Sequence, residues 1–461
     1  MTGIDTIAET DMPARQTVVS LTFDDGHDDQ LEASRIMDRL GLKGTFYISS
    51  GLIAEEDAPG DPGTKKMTLA DVRALQAGGH EIGGHTVSHA DLAALSPEEV
   101  QRQVCKDRTN LMDLGLRITS FAYPFGAATH ETERITAGCG YNSARGLGDL
   151  LSPDVLGVAN TCDNCPVAET MPPANAFRTR APNQQENTWT LADLQGTVTN
   201  AETTGGWLQL TFHHVDDTGG VLSVPPSVFD AFSVWLAARA EHGTVVKTVD
   251  EVIGGSEQVA ADPPARATSG NLVRNPGYET RAPDGETPEC WQRAGWGENR
   301  RSFTLQGDAH TGDTSHRLHI SKHVDGDAKL LPTMDLGTCS PPVESTKAYD
   351  LGAWYKSSVE TQFEIYIRHS DGSWTYWTSS PLFPPTDEWT HATFTTPPVP
   401  DGVDGLSFGL NLMRAGTLIT DDYSQTVDID WRDFASSAMK ASWALLWRSI
   451  AVSWKELTSW W

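Results

Sequence analysis

The sequence predicts an α/β domain followed by an all-β domain, specifically a distorted (β/α) barrel of about seven units and then a β-sandwich. Three observations carry this reading. Through the first half, β-favouring runs alternate with helices of 3.6-residue periodicity, the pattern of a parallel sheet with crossover connections. From Asn271 onward helical periodicity vanishes, and short alternating runs separated by turn residues take over. Between the two, Glu257 to Gly270 is rich in Ala, Pro, Ser and Gly without period, the composition of a linker. A chain of 461 residues is also too long for one core.

In order, Val18 to Phe23 reads as a strand running into Asp24-Asp25-Gly26, where the glycine permits a sharp turn. Leu31, Ile36, Met37 and Leu40 recur at helical spacing until Gly41. Gly44 to Ile48 is a second strand. Thr68 caps a helix bearing Leu69, Val72 and Leu75, closed by Gly78-Gly79. His80 to His85 is the third strand. Ser96-Pro97 opens a helix as N-cap and first helical residue. Ile118 to Tyr123 and Tyr141 to Arg145 are the fourth and fifth strands. Leu191 to Ala201 is helical, Trp207 to His213 a strand, Val228 to Ala240 a helix and Thr244 to Val249 a last strand. Seven units of this kind favour a barrel, whose working residues sit at the carboxyl ends of strands.

The formal net charge of −28 argues against nucleic acid or an anionic membrane as the main partner. Met1 to Arg15 lacks a basic start and an apolar run, so no leader is visible, and no stretch reaches transmembrane length. Six cysteines favour an oxidising compartment, with expected pairs Cys105–Cys139, Cys162–Cys165 and Cys290–Cys339. The expected location is extracellular or cell-surface, with any leader outside this sequence.

Two acids at the end of a buried strand are costly to desolvate unless something uses them. His85-Thr86-Val87-Ser88-His89 places two histidines four apart, on one face of a helical turn, where they can share a metal. One carboxylate and two neutral imidazoles form a three-ligand site with a position left for water, the arrangement of a catalytic divalent metal. The second aspartate is then free to act as a base.

Thr22-Phe23-Asp24-Asp25-Gly26, His85-Thr86-Val87-Ser88-His89, Phe121 to Gly126 and Leu210-Thr211-Phe212-His213 together resemble the ordered motifs of polysaccharide deacetylases, carbohydrate esterase family four. The resemblance covers roughly residues 16 to 254. It implies that Asp25, His85 and His89 hold one divalent metal, zinc first, with cobalt or nickel as alternatives. It further implies that Asp24 is the general base, that the Phe125 backbone N–H serves the oxyanion and that His213 protonates the leaving amine. His214 should face away from His213 along the strand. Two departures stand out. Many family members begin the third motif with an arginine that orients the base, where this chain has Ala122. An acid-tryptophan pair found later in those members has no match between Tyr141 and Leu151. Arg145, Arg178 and Arg180 are the candidates to replace the missing arginine. Arg145 is preferred, because the fifth strand should neighbour the fourth.

In the second half, Arg317 to Ile320, Tyr349 to Lys356, Phe363 to Arg368, Trp374 to Thr378, Trp389 to Thr395 and Gly405 to Leu412 read as strands, with Asp371-Gly372 as a hairpin turn. Asn271 to Glu279 is similar to the start of jelly-roll carbohydrate-binding modules. Phe363, Ile365 and Ile367 should face the core and Tyr366 outward. Trp374 and Tyr376 share a face, so Tyr366, Trp374 and Tyr376 are candidates for a glycan-stacking platform, with burial in the core as the rival. Trp443, Trp447, Ile450, Trp454, Leu457 and Trp461 follow helical spacing in the tail, which suits membrane-surface docking, packing on the sandwich or a non-native extension.

The expected organisation is an extension over 1–15, a deacetylase barrel over 16–254, a linker over 255–270, a carbohydrate-binding-like sandwich over 271–435 and a Trp-rich tail over 436–461. The expected activity is metal-dependent removal of acetyl groups from an N-acetylated glycan, of chitin, poly-N-acetylglucosamine or peptidoglycan type, by a monomer. An O-acetyl-xylan esterase, a hydrolase of non-sugar amides and a catalytically silent glycan-binding protein are the alternatives.

Overall fold

A computed structural model of the chain describes residues 16–54, 65–153, 164–259, 261 and 270–427. The expected extension over 1–15, most of the expected linker, Cys162 and the tail over 436–461 lie outside the described residues. The chain divides into two compact units, one built on the residues up to Ala265 and the other on those from Arg266.

The first unit is a seven-stranded parallel half-barrel. Its strands are β1 Thr17–Phe23, β2 Thr45–Ile48, β3 Glu81–Gly84, β4 Ile118–Ala122, β5 Ser143–Arg145, β6 Gly206–Phe212 and β7 Thr244–Val246. The order is β5-β4-β3-β2-β1-β6, with β7 paired to β1. Every residue of β1 is buried, as a central parallel strand requires. Val19, Leu21 and Phe23 pack against Met37, Phe229 and Phe232 of the covering helices Gln30–Arg39 and Pro226–Ala238. Phe23 stacks on Phe46 at 4.6 Å and on Phe212 at 5.6 Å. On the opposite face Ser20 and Thr22 donate to the Lys247 and Leu210 carbonyls, so their hydroxyls are satisfied inside the barrel.

Among the described residues the sheet does not close as a full barrel: β5 and β6 do not pair. The stretch from Glu169 to Arg180, which carries a 3₁₀ turn over Ala176–Arg178, lies between them, with bridges from Thr179 to Arg145 and from Glu169 to Trp207. Thr244 to Val249, expected as one strand, is the short β7 followed by a helix over Val249–Ile253, because Thr248 caps that helix by accepting from the Glu251 N–H. The helix His130–Gly138 has no counterpart in the sequence reading. It rests on a capping box between Thr129 and Thr132 and buries only Ile135 among its large apolar side chains. Among the described residues no helix is long and apolar enough to cross a membrane.

The second unit holds two five-stranded antiparallel sheets. The strands are β8 Trp291–Ala294, β9 Asn299–Gln306, β10 Ser315–His323, β11 Ala328–Pro332, β12 Tyr349–Ser357, β13 Phe363–His369, β14 Trp374–Ser379, β15 Thr386–Thr395, β16 Val403–Leu412 and β17 Gly416–Val427. One sheet runs β15-β12-β17-β10-β9 and the other β14-β13-β16-β11-β8. Phe363, Ile365 and Ile367 enter the core together with Phe408 and Tyr423. Cys105–Cys139 and Cys290–Cys339 are bonded, one pair in each unit, and Cys165 is also disulfide-bonded.

Candidate metal centre and active site

The loops after β1, β3, β4, β5 and β6 meet at one end of the half-barrel. Asp24 continues β1, its N–H donating to the Phe212 carbonyl at 2.9 Å. Asp25 then takes φ 73°, which turns its side chain out of strand alternation, and Gly26 follows at φ 65°. Adjacent carboxylates thereby reach one pocket. Four of the non-glycine residues with positive φ, Asp25, Thr86, His89 and Phe125, belong to these loops. Strain of this kind persists only where the surrounding structure enforces it.

His85 and His89 are not on a helical turn. They occupy an irregular loop after β3 in which Thr86 has φ 67° and His89 φ 55°. Two left-handed residues, rather than helical spacing, bring the rings to 5.0 Å between centroids. The turn is held by Asp107, whose carboxylate accepts from the N–H groups of His85 at 3.0 Å and Ser50 at 2.9 Å. Burial pushes Asp107 up to about 6 against these donors. Gly84 makes this approach possible, since a Cβ there would lie 2.0 Å from the Tyr141 hydroxyl and 2.6 Å from Asp107 Oδ2.

The three expected ligands converge. Asp25 Oδ1 lies 3.2 Å from His85 Nε2 and 3.0 Å from His89 Nε2. His85 Nδ1 is 2.8 Å from the Ala122 carbonyl, which can only accept, so Nδ1 carries the proton and Nε2 presents a lone pair to Asp25. Asp25 Oδ1 is buried without a hydrogen-bond partner. Lone pairs facing one another in this way suit a cation between them. Tetrahedral bonds of roughly 2.0–2.2 Å set donor atoms roughly 3.3 Å apart, close to the spacing observed, so the residues fit a divalent metal. Without one, burial tends to raise Asp25, but the imidazoles of His27, His85 and His89 reverse this and leave it below the usual carboxylate range. Burial opposes charging of His85, yet the Asp25 contact takes it above the ordinary imidazole value.

A second group, His27, Asp29 and His214, also gathers metal-ligating atoms. Its geometry is different. The two rings are only 4.0 Å apart, against roughly 5 Å for imidazoles sharing a tetrahedral metal. His214 Nδ1 is bonded to Asp29 Oδ2 at 2.7 Å, and the Lys66 ammonium lies 3.1 Å from His27 Nε2. This is a hydrogen-bonded polar cluster beside the first site.

Asp24 is 2% exposed and faces Arg145, which is 1% exposed. Arg145 Nη2 donates to Asp24 Oδ1 at 2.7 Å and to Oδ2 at 2.5 Å. Arg145 therefore occupies the place expected for the absent third-motif arginine, reached from β5, which pairs with β4 and sets Ala122 opposite Arg145. The other two candidates point elsewhere. Arg178 faces Asp149 at 3.6 Å and Glu133 at 3.9 Å, and Arg180 binds Glu169 at 2.6 Å.

His213 is buried, and burial lowers its affinity for a proton. Its Nδ1 has no hydrogen-bond partner. His214 is turned to Asp29, so the neighbours diverge as strand geometry requires. Gln30, fully buried, donates from Nε2 to the carbonyls of Asp24 at 2.5 Å and His213 at 2.7 Å, tying the ends of β1 and β6 together. Phe125 lies in a 3₁₀ turn over Pro124–Gly126, with its side chain 67% exposed and its ring 4.7 Å from that of His89. Asp107 and Gln30 were not anticipated from sequence. The available signal was a polar residue on the buried stripe of an amphipathic helix in each case.

In the second unit the register sets Tyr376 opposite Tyr366 and Trp374 opposite Arg368, so the three rings lie on one sheet face. Tyr376 is 56% exposed, while Tyr366 and Trp374 are half-buried. Tyr366 and Tyr376 meet edge to face at 5.8 Å. The Arg368 guanidinium lies 5.5 Å from the Trp374 ring, and Lys329 Nζ 5.5 Å from that of Tyr366. Lys329 is itself buried between Asp327 and Glu364. Trp377 points the other way and packs on the core.

Residues 11–144 match the polysaccharide deacetylase family model. That range contains Asp24, Asp25, His85, His89 and Phe125 and stops one residue short of Arg145. The chain is 28% identical over 207 residues to a gellan lyase of Bacillus sp, which covers 43% of this chain and 8% of that protein. It is 30% identical over 150 residues to a chitin deacetylase of Pestalotiopsis sp, covering 31% of this chain and 47% of that one. Over 115 residues it is 31% identical to a peptidoglycan-N-acetylglucosamine deacetylase of Bacillus cereus, covering 24% and 37%. The chain spans less than half the length of each of these relatives. The match to the polysaccharide deacetylase family over residues 11–144 thus runs through the loops of the first unit that carry the Asp-His-His group.

Proposed function

We propose that the first unit removes acetyl groups from an N-acetylated polysaccharide or oligosaccharide by metal-dependent hydrolysis. The observation that carries this reading is the convergence of three lone-pair donors, buried His85 and half-buried Asp25 and His89, beside a second carboxylate clamped by Arg145. A divalent ion held there, zinc by preference, supplies Lewis-acid polarisation of the acetamide carbonyl and a nucleophile active at neutral pH.

The rest is done by the chain. Asp24 takes a proton from the attacking water. Arg145 holds both of its oxygens and so fixes the lone pair that receives the proton. The Phe125 N–H donates to the oxygen on which charge develops. His213 delivers a proton to the leaving amine, and Gln30 keeps its backbone in register with that of Asp24. The second unit targets the glycan through Tyr366, Trp374 and Tyr376, and its fold belongs with jelly-roll modules. The disulfides suit an oxidising compartment, so export to the cell surface or medium is part of the proposal. Acetate release over a panel of chitin, peptidoglycan and acetyl-xylan oligosaccharides, with and without chelator, tests it. Chelator-sensitive release from the N-acetylated members is expected. Release from none of them, by metal-loaded protein, overturns it.

A further inference from the structure

The polar cluster beside the metal centre contains a cation, Lys66, that makes no ion pair among the described residues. Lys66 is fixed on the loop that carries Asp25: Met67 N–H donates to the Gly26 carbonyl at 2.9 Å, and Asp28 N–H to the Lys65 carbonyl at 3.0 Å. The Lys66 ammonium lies 3.1 Å from His27 Nε2, and the same nitrogen lies 3.6 Å from Asp25 Oδ2. One imidazole edge thus separates the ammonium from a proposed metal ligand. An ammonium can only donate, so His27 accepts at Nε2 and its buried, unpartnered Nδ1 carries the proton.

The carboxylates nearby are already engaged. Asp29 accepts from His214 Nδ1 at 2.7 Å and from the Val215 N–H at 3.1 Å. Asp28 faces Lys65 at 3.7 Å, and Asp25 Oδ1 faces His85 and His89. Among the described residues none forms an ion pair with Lys66. A half-buried ammonium whose hydrogen-bond partner is a neutral imidazole carries a desolvation cost that Asp25 and Asp29, neither in ion-pair contact with it, offset only in part. A divalent ion held by Asp25, His85 and His89 would add positive charge to this side of the site. In a chain of net charge −28, Lys66 sets a cation one imidazole away from Asp25, a proposed metal ligand.

Building on the deacetylase reading, we infer that Lys66 forms an anion subsite that selects acetylated glycans bearing a carboxylate on the acetylated sugar or on its neighbour. The ammonium lies beside the Asp25 carboxylate, so the substrate carboxylate reaches it while the acetamide is held at the metal. Two sources share this chemistry, a carboxyalkyl ether on the N-acetylated ring and a uronic acid next to it.

The experiment measures kcat and KM for acetate release by the metal-loaded full chain on three oligosaccharides. These are a neutral N-acetylglucosamine oligomer, one carrying a lactyl ether on the acetylated ring and one alternating with a uronic acid. Lys66→Met and Lys66→Arg are compared with the parent. One of the carboxylated substrates is expected to exceed the neutral one by about 10-fold in kcat/KM, chiefly through KM, with the preference shrinking at high salt. Lys66→Met should bring the ratio to about one, and Lys66→Arg should restore part of it. Calorimetric binding of the deacetylated carboxylated product to metal-stripped protein should weaken by the same factor in Lys66→Met. If Lys66 only shapes the loop, all substrates fall together and the ratio is unmoved, which overturns the inference. A parent protein that releases acetate without preference also overturns it, while leaving the deacetylase reading standing. No release from any substrate overturns both.

Discussion

Replacing Arg145 by methionine keeps most of the side-chain volume and removes the guanidinium that holds Asp24. Both groups are almost completely buried, and two short charge-assisted hydrogen bonds join them. Breaking a buried ion pair on one side costs about 3–5 kcal/mol, because a charge is left without compensation. Loss of orientation adds a pH-independent drop, about 100-fold for a catalytic group misplaced by an ångström. Turnover in Arg145→Met should therefore fall at every pH. Metal content should stay at one ion per chain, since Asp25, His85 and His89 are untouched. Arg145→Lys should recover part of the rate, as a single donor replaces a planar fork. The assay is acetate release from pH 5 to 9, with metal content by emission spectroscopy and thermal unfolding to check the fold. Near-normal turnover in Arg145→Met, or loss of metal together with turnover, would refute the positioning role.

Further expectations follow from the same geometry. Asp24→Asn should retain metal and lose 10²- to 10⁴-fold in turnover, whereas Asp25→Ala should lose metal and activity together, both read by metal content and rate. Metal binding should weaken as the pH falls, beginning above pH 6.5, because the raised proton affinity of His85 lets a proton compete for Nε2; titration with a fluorescent chelator measures it. Glu81, pushed up to about 7 by burial despite donors from Ser120, Thr45 and Asp250, binds its proton more tightly folded than unfolded. Its contribution to stability is full below pH 4.5 and is lost as the pH rises through about 7, so urea midpoints should fall over that window and Glu81→Gln should flatten the fall. A fragment ending at residue 254 should be less stable than one ending at 259 by roughly 2–4 kcal/mol, several degrees in Tm. The shorter cut removes the Glu257 carboxylate from the Ile118 N–H and the Gln258 carbonyl from Arg108.

The pieces of the site that sequence made legible are those set by local chemistry. Alternating apolar residues placed β1, and a strand that ends in paired acids marks its own carboxyl end. The choice of Arg145 followed from sheet order alone, since sequentially wound parallel strands set β5 beside β4. What sequence could not supply was the backbone path between those residues. His85 and His89 sit four apart, and helical spacing is the simplest way to unite such a pair. The chain unites them through left-handed Thr86 and His89. β-branched threonine disfavours that conformation, so no propensity argument finds it. Asp107 and Gln30 were hidden for a different reason. Each is a polar residue on a buried helix stripe, and its partners are backbone groups distant in sequence whose positions exist only in the folded sheet.

These two kinds of illegible feature are linked. A loop with left-handed residues at Asp25, Thr86, His89 and Phe125 carries a conformational cost of order 1–3 kcal/mol at each non-glycine position. Something must hold it closed. The holders are the groups that sequence missed: Asp107 fixing the His85 and Ser50 N–H groups, and Gln30 fixing the Asp24 and His213 carbonyls. Each is a side chain substituting for the ladder bond that a strand loses when it bends away from its sheet. Each is buried, so the bond it makes is not diluted by water. The rigid sheet thus transmits its order past the strand ends by a few polar side chains. The lone pairs of Asp25, His85 and His89 are thereby held facing one another, in the arrangement a divalent ion fits.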